Sequence, residues 1–164
     1  MSLYMLGKIV GPERAELVAE LGQIATRYSV RIRLDVLDDE DRSILDRHVG
    51  GGEAVYFDVC DAQGADATQL WNDCMTCVRA FTPSICQEPN QLSDEARKAF
   101  DRSVLGGVCR ALLELGATAG VSLVDGGIEG VYRGSLSQCL GRIACDVSRT
   151  WDQSANRLYT RVSS

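Results

Sequence analysis

Four carboxylates, Asp58, Asp61, Asp125 and Glu129, stand at or just beyond the carboxyl ends of two predicted strands, where ligands of α/β sheets collect. Two to four oxygen ligands of this kind suit a hard divalent cation such as Mg2+, and a carboxylate beside the metal can serve as general base. One expectation is therefore a metal-dependent enzyme acting on a small phosphorylated or polar substrate. Its weakness is spacing. Asp61 follows Asp58 by three residues, one more than in the strand-end aspartate pair with which phosphoryl-transfer hydrolases attack and hold magnesium.

The segment Asp125-Gly126-Gly127-Ile128-Glu129-Gly130 lies between a predicted strand and a capped helix. Backbone amides of Gly126, Gly127 and Gly130 could cradle a phosphate there, with Arg133 as the nearby cation. The pattern is neither a dinucleotide fingerprint nor a Walker loop, and Glu129 repels phosphate, so a glycine-rich turn explains it as well.

Seven cysteines, Cys60, Cys74, Cys77, Cys86, Cys109, Cys139 and Cys145, form no evenly spaced disulfide framework. Free thiols in a reducing, cytoplasmic setting are expected, packed as small hydrophobes. Cys74 and Cys77 have redox-pair spacing but fall in mid-helix on an apolar stripe, without the helix N-terminus that would activate them. The one histidine, His48, sits on a charged helix with no fixed partner and reads as exposed.

The net charge of -6 opposes binding to nucleic acid and to anionic membranes. No apolar run approaches the roughly 20 residues that span a bilayer, and the first ten residues read as a strand rather than a secretory signal. Arginines nevertheless cluster, as Arg27-Arg31-Arg33 and Arg142-Arg149-Arg157-Arg161, interleaved with Tyr28, Trp151 and Tyr159. Arginine with aromatics suits a protein contact. The acidic run Asp35 to Asp46 would complement a basic partner, or form a solvated helix face.

The elements that must position these groups follow from periodicity. Tyr4 to Val10 is a strand, and Glu13 to Tyr28 a helix with Leu17, Val18, Leu21 and Ile24 on one side. Ser29 to Leu37 alternates, with Val30, Ile32, Leu34 and Val36 opposite Arg31, Arg33 and Asp35, so one sheet face is wet or covered by a partner. Asp38 to Val49 is a short charged helix, Glu53 to Cys60 a strand, and Asp66 to Phe81 a helix with Leu70, Trp71, Cys74, Cys77, Val78 and Phe81 facing the core. Ser93 caps a single helix to Leu115 whose stripe includes Phe100, Val104 and Val108. Ala119 to Val124 is a buried strand and 125–134 a loop. Ser135 and Gln138 form a capping box for the last helix, and Arg157 to Val162 adds an edge strand.

These elements predict one α/β (or α+β) domain over residues 1–164, a two-layer sandwich with a mixed sheet of four to five strands and helices mainly on one face. The leading functional expectation is a protein-interaction or regulatory module that binds a protein partner or self-associates as a homodimer. Its contact residues are Arg31, Arg33, Asp35, Asp39 and Arg42, and reversing Arg31 and Arg33 should abolish binding without unfolding the domain.

Overall fold

The computed structural model describes residues 2–50, 53–64, 66–82, 86–123, 128–149 and 156–162. Strand β1 (Leu3–Gly11) is central. It pairs antiparallel with β3 (Glu53–Cys60), Met5 opposite Val59, and with β4 (Ala119–Leu123), Met5 opposite Val121. β2 (Arg31–Leu34) flanks β3, while β6 (Arg157–Arg161) lies beside β4 and β5 (Gly130–Gly134) beside β6. The order is β2-β3-β1-β4-β6-β5. The α/β expectation holds, with six strands in place of four to five.

The additional strand, β5, occupies the second half of the expected 125–134 loop. β5 and β6 are parallel, and a parallel pair needs a crossover long enough to carry the chain back. Helix α6 (Leu136–Val147) is that crossover, opened by the predicted Ser135–Gln138 capping box. β6 is therefore an interior strand, contrary to its reading as an edge. Alternation reports faces, and edge position depends on which neighbours arrive.

Helices α1 (Arg14–Tyr28), α3 (Thr68–Arg79), α5 (Val104–Glu114) and α6 pack on one sheet face, and α4 (Asp94–Arg102) packs against α3, α5 and α6. The main core holds Met5, Ile9, Phe57, Trp71, Phe100 and Leu112 among others. The single helix expected from Ser93 to Leu115 is broken. Ser103 leaves helical geometry (φ -70, ψ 156), and its hydroxyl accepts from the Gly106 amide, capping α5 anew. A Cβ on Gly106 would lie 1.8 Å from the Phe100 carbonyl oxygen, so glycine is what lets α5 turn so closely on α4. The break rotates the stripe, and Val104, read as a core position, is 44% exposed.

Alternation through Val36 implied a long β2, but Asp35 adopts left-handed backbone (φ 57) and ends the strand at Leu34. Aspartate tolerates that region better than most residues. The chain then turns across the opposite sheet face and forms α2 (Asp39–His48). That face therefore carries the protein's own α2, where the alternation implies a face wet or covered by a partner.

Candidate interaction surface

The second sheet face carries Leu6 and Lys8 from β1, Tyr56 and Asp58 from β3, and Arg31 and Arg33 from β2, because residues two apart on a strand share a face. α2 rests on it through one fully buried residue, Leu45, which joins Leu6 and Leu158 in a small cluster flanked by Leu37, Tyr56, Ile128 and Val131. Polar ties complete the seat. Lys8, 5% exposed, donates from Nζ to Asp46 Oδ1 (2.7 Å) and to the Val49 carbonyl (2.7 Å). A buried ammonium needs such partners, and both come from α2 and its end.

Tyr56 donates its hydroxyl to the same Asp46 oxygen at 2.5 Å. The hydrogen bonds from Lys8 and Tyr56 hold the Asp46 carboxyl below its usual range, and donation to that carboxylate raises the Tyr56 phenol. Lys8 Nζ and the Arg42 guanidinium lie 5.4 and 5.0 Å from the Tyr56 ring centroid, within cation–π range. Asp39, Arg42, Ser43, Asp46, Arg47 and Tyr56 line an open cleft of about 500 Å³.

The first turn of α2 is strongly acidic. Asp38 caps it by accepting from the Asp41 amide (2.8 Å), and Asp39 and Glu40 are exposed beside it. The Asp41 carboxyl is raised by partial burial and then by the fields of Asp38 and Glu40. Crowded like charges of this kind make an approaching cation favourable.

The structure separates the other expected site residues. Arg33 grips Asp58 with both arms, Nε to Oδ1 at 3.0 Å and Nη2 to Oδ2 at 2.6 Å, so this carboxylate is a buried ion-pair partner rather than an open metal ligand. Asp61 accepts from the Gln63 amide in the turn after β3. Glu129 is exposed, and its amide donates to the Asn156 carbonyl. Asp125, Gly126 and Gly127 lie outside the described residues. Gly130 opens β5 opposite Arg157, and Arg133 is an exposed β5 residue opposite Thr160. Among the described residues, no three His, Cys, Asp or Glu side chains converge in a metal-binding group.

Of the expected contact residues, Arg31 is exposed beside Gly64, Asp35 pairs with Arg14 across the start of α1, and Asp39 and Arg42 line the cleft. The Arg33–Asp58 pair attaches a stability cost to reversal of Arg33 that reversal of Arg31 does not carry. Arg33→Glu should cost about 2 kcal/mol in urea denaturation, below the value for a fully buried pair because the Arg33 side chain is 44% exposed. Arg31→Glu should stay within about 0.5 kcal/mol.

Two members of the second arginine cluster, Arg142 and Arg157, turn inward, while Arg161 is exposed. Asp146, 1% exposed on α6, accepts from Arg142 Nε (3.1 Å), Arg157 Nη1 (2.9 Å) and the Tyr159 hydroxyl (2.5 Å). Burial, then the Asp146 charge, raises the Tyr159 phenol well above its ordinary value. Arg142, Arg157 and Tyr159 thus hold β6 to α6 instead of anchoring a partner, while Trp151 lies outside the described residues. Cys74 is buried but Cys77 is exposed, so the pair does not share the core stripe. His48 is half-buried at the end of α2 rather than exposed.

The acidic run Asp35 to Asp46 includes Ser43 and Asp46, whereas sequence reading missed Lys8 and Tyr56, which the sheet supplies beneath the helix. The available signal was the pair Lys8 and Tyr56 at outward positions of two central strands, which requires a polar element above them. Fold and surface together define an α/β protein with a charged helix mounted on the outer face of a largely antiparallel sheet. Comparison of the chain with family models, with curated proteins and with solved structures finds no match.

Proposed function

We propose that the protein is a non-enzymatic interaction module that binds a basic segment of a protein partner over α2 and Tyr56. The observation that carries this reading is the mounting of α2, one buried leucine beneath and an outward acidic turn above a cleft walled by tyrosine and arginine. Tyrosine and arginine are, with tryptophan, the side chains enriched at binding hot spots. The acidic turn supplies attraction at a distance, and relief of the Asp38–Asp39–Glu40–Asp41 crowding supplies a gain on contact. A second copy would bring the same acidic turn to the surface and be repelled, which favours a different partner over self-association.

The metal-enzyme reading loses its central ligand to Arg33, and no observation favours it over the interaction reading.

The test is titration of a lysine- and arginine-rich peptide by calorimetry at low salt. Asp39→Lys with Glu40→Lys should weaken binding about tenfold or more, the loss of about 1.4 kcal/mol. The control, Glu16→Lys with Glu20→Lys on the exposed side of α1, changes net charge equally and should alter affinity by less than about twofold. Equal losses would mean that the peptide senses only total charge and would sink the proposal. Affinity should also fall as pH is lowered into the carboxylate range. Burial and the neighbouring carboxylates already raise Asp41 toward its protonated form, and a bound cation favours the deprotonated form.

A further inference from the structure

Cys86 and Cys145 are separated by 59 positions in the chain, yet their sulfurs approach to 2.7 Å. A covalent S–S bond is ~2.05 Å, so closure needs a movement of well under an ångström. Both thiols are free and buried, Cys86 on the segment entering the 3-10 turn Pro89–Gln91 and Cys145 near the end of α6.

The approach is built by groups other than the thiols. Arg149 donates to the Cys86 carbonyl (2.9 Å) and to the Gln87 carbonyl (2.7 Å), and Arg142 donates to the Gln87 carbonyl (3.0 Å). Arg97 adds a bond to the Pro89 carbonyl (2.6 Å). Three guanidinium groups therefore pin the 86–91 segment to α6 and its neighbours in the register that brings the sulfurs together. Such fixed geometry turns thiol pairing into an intramolecular event of high effective concentration.

The geometry points to a reversible Cys86–Cys145 disulfide, formed on oxidation by hydrogen peroxide, that ties the 86–91 segment covalently to α6. The two sulfurs have distinct surroundings. Cys86 is followed directly by exposed Gln87 and Glu88, and its thiol donates to the Glu88 carbonyl (3.0 Å). Cys145, equally buried on α6, accepts from Arg142 Nη2 (3.2 Å), and burial pushes its thiol up to about 12. Cys86 accordingly attacks peroxide, its sulfur taking one oxygen as sulfenic acid while the O–O bond breaks and water leaves. The Cys145 sulfur then attacks the sulfenic sulfur, the S–O bond breaks, and the departing hydroxide leaves as a second water with the Cys145 proton. Two thiols and one peroxide give one disulfide and two waters, and a dithiol reductant reverses the product.

The test uses the full chain carrying Cys77→Ser, which removes the exposed thiol. After peroxide treatment, alkylation and non-reducing proteolysis, mass spectrometry should find the peptides containing Cys86 and Cys145 joined. The melting temperature should rise by about 5–10 °C, because a bond closing a long loop constrains the unfolded chain, and dithiothreitol should abolish the rise. Adding Cys145→Ser should leave Cys86 as a sulfenic acid trapped by dimedone, with no rise. Recovery of both peptides singly alkylated after peroxide, or their joining to other cysteines, would overturn the assignment.

Discussion

Asp146→Ala lowers the stability of the fold by about 3–5 kcal/mol, the cost of removing one partner from a buried ion pair. The carboxylate is the common acceptor of Arg142, Arg157 and Tyr159, and it is 1% exposed, so water cannot take its place without opening the core. Its loss leaves the guanidinium groups of Arg142 and Arg157 poorly compensated and a tyrosine hydroxyl without an acceptor. Arg142 is itself buried and keeps its carbonyl contact to Gln87, so it cannot swing fully into solvent. Asp146→Asn, which keeps the shape and discards the charge, should fall between wild type and alanine. Urea midpoints measure all three, and a loss below about 1 kcal/mol for alanine would show that the network is solvated rather than structural. Replacing the pair together, Asp146→Leu with Arg142→Met, should recover only the part of the loss carried by Arg142, since Arg157 and the buried Tyr159 hydroxyl still lose their acceptor.

A second large effect is expected at the corner between α4 and α5, where Gly106→Ala should cost about 3 kcal/mol, the upper end of overpacking penalties. The added carbon would lie 1.8 Å from the Phe100 carbonyl oxygen and 2.7 Å from its carbonyl carbon, both main-chain atoms that no rotamer change can move aside. Relief requires α5 to lift from α4, which pulls Leu105, Val108 and Leu112 from the core. Gly22→Ala on α1 is the matched control. Nothing lies within 4 Å of its new carbon, and alanine in a helix interior should raise stability by about 0.5–1 kcal/mol. Opposite signs in the same denaturation assay would confirm that packing, not glycine content, governs the two sites.

Local chemistry accounts for what could be read ahead of the fold. The helix from residue 13 or 14 to Tyr28, the strand Glu53–Cys60, and the caps at Ser93 and Ser135 all depend on neighbours within a few positions in the chain. Ser103 shows the limit of such reading. A serine followed by Val-Leu-Gly-Gly is compatible with a continuous helix or with a new cap, and the choice falls to the close approach of Gly106 to Phe100. The candidate surface was legible only in part. Asp39 and Arg42 were named from the acidic run, whereas Lys8, Asp46 and Tyr56 meet only because Asp35 turns the chain across the sheet.

The carboxylates at the strand ends divide along the same line. Their number and their placement near the ends of two strands follow from the chain itself, as do its acidity, its α/β class and its seven thiols. Tertiary structure alone decided that Asp58 faces Arg33, that Asp146 draws arginines inward, and that Cys86 reaches Cys145. The physical reason is range. Helix periodicity, strand alternation and capping act over one to four residues, whereas ion pairing and thiol contact are set by which distant segments the sheet and its crossovers bring within a few ångströms.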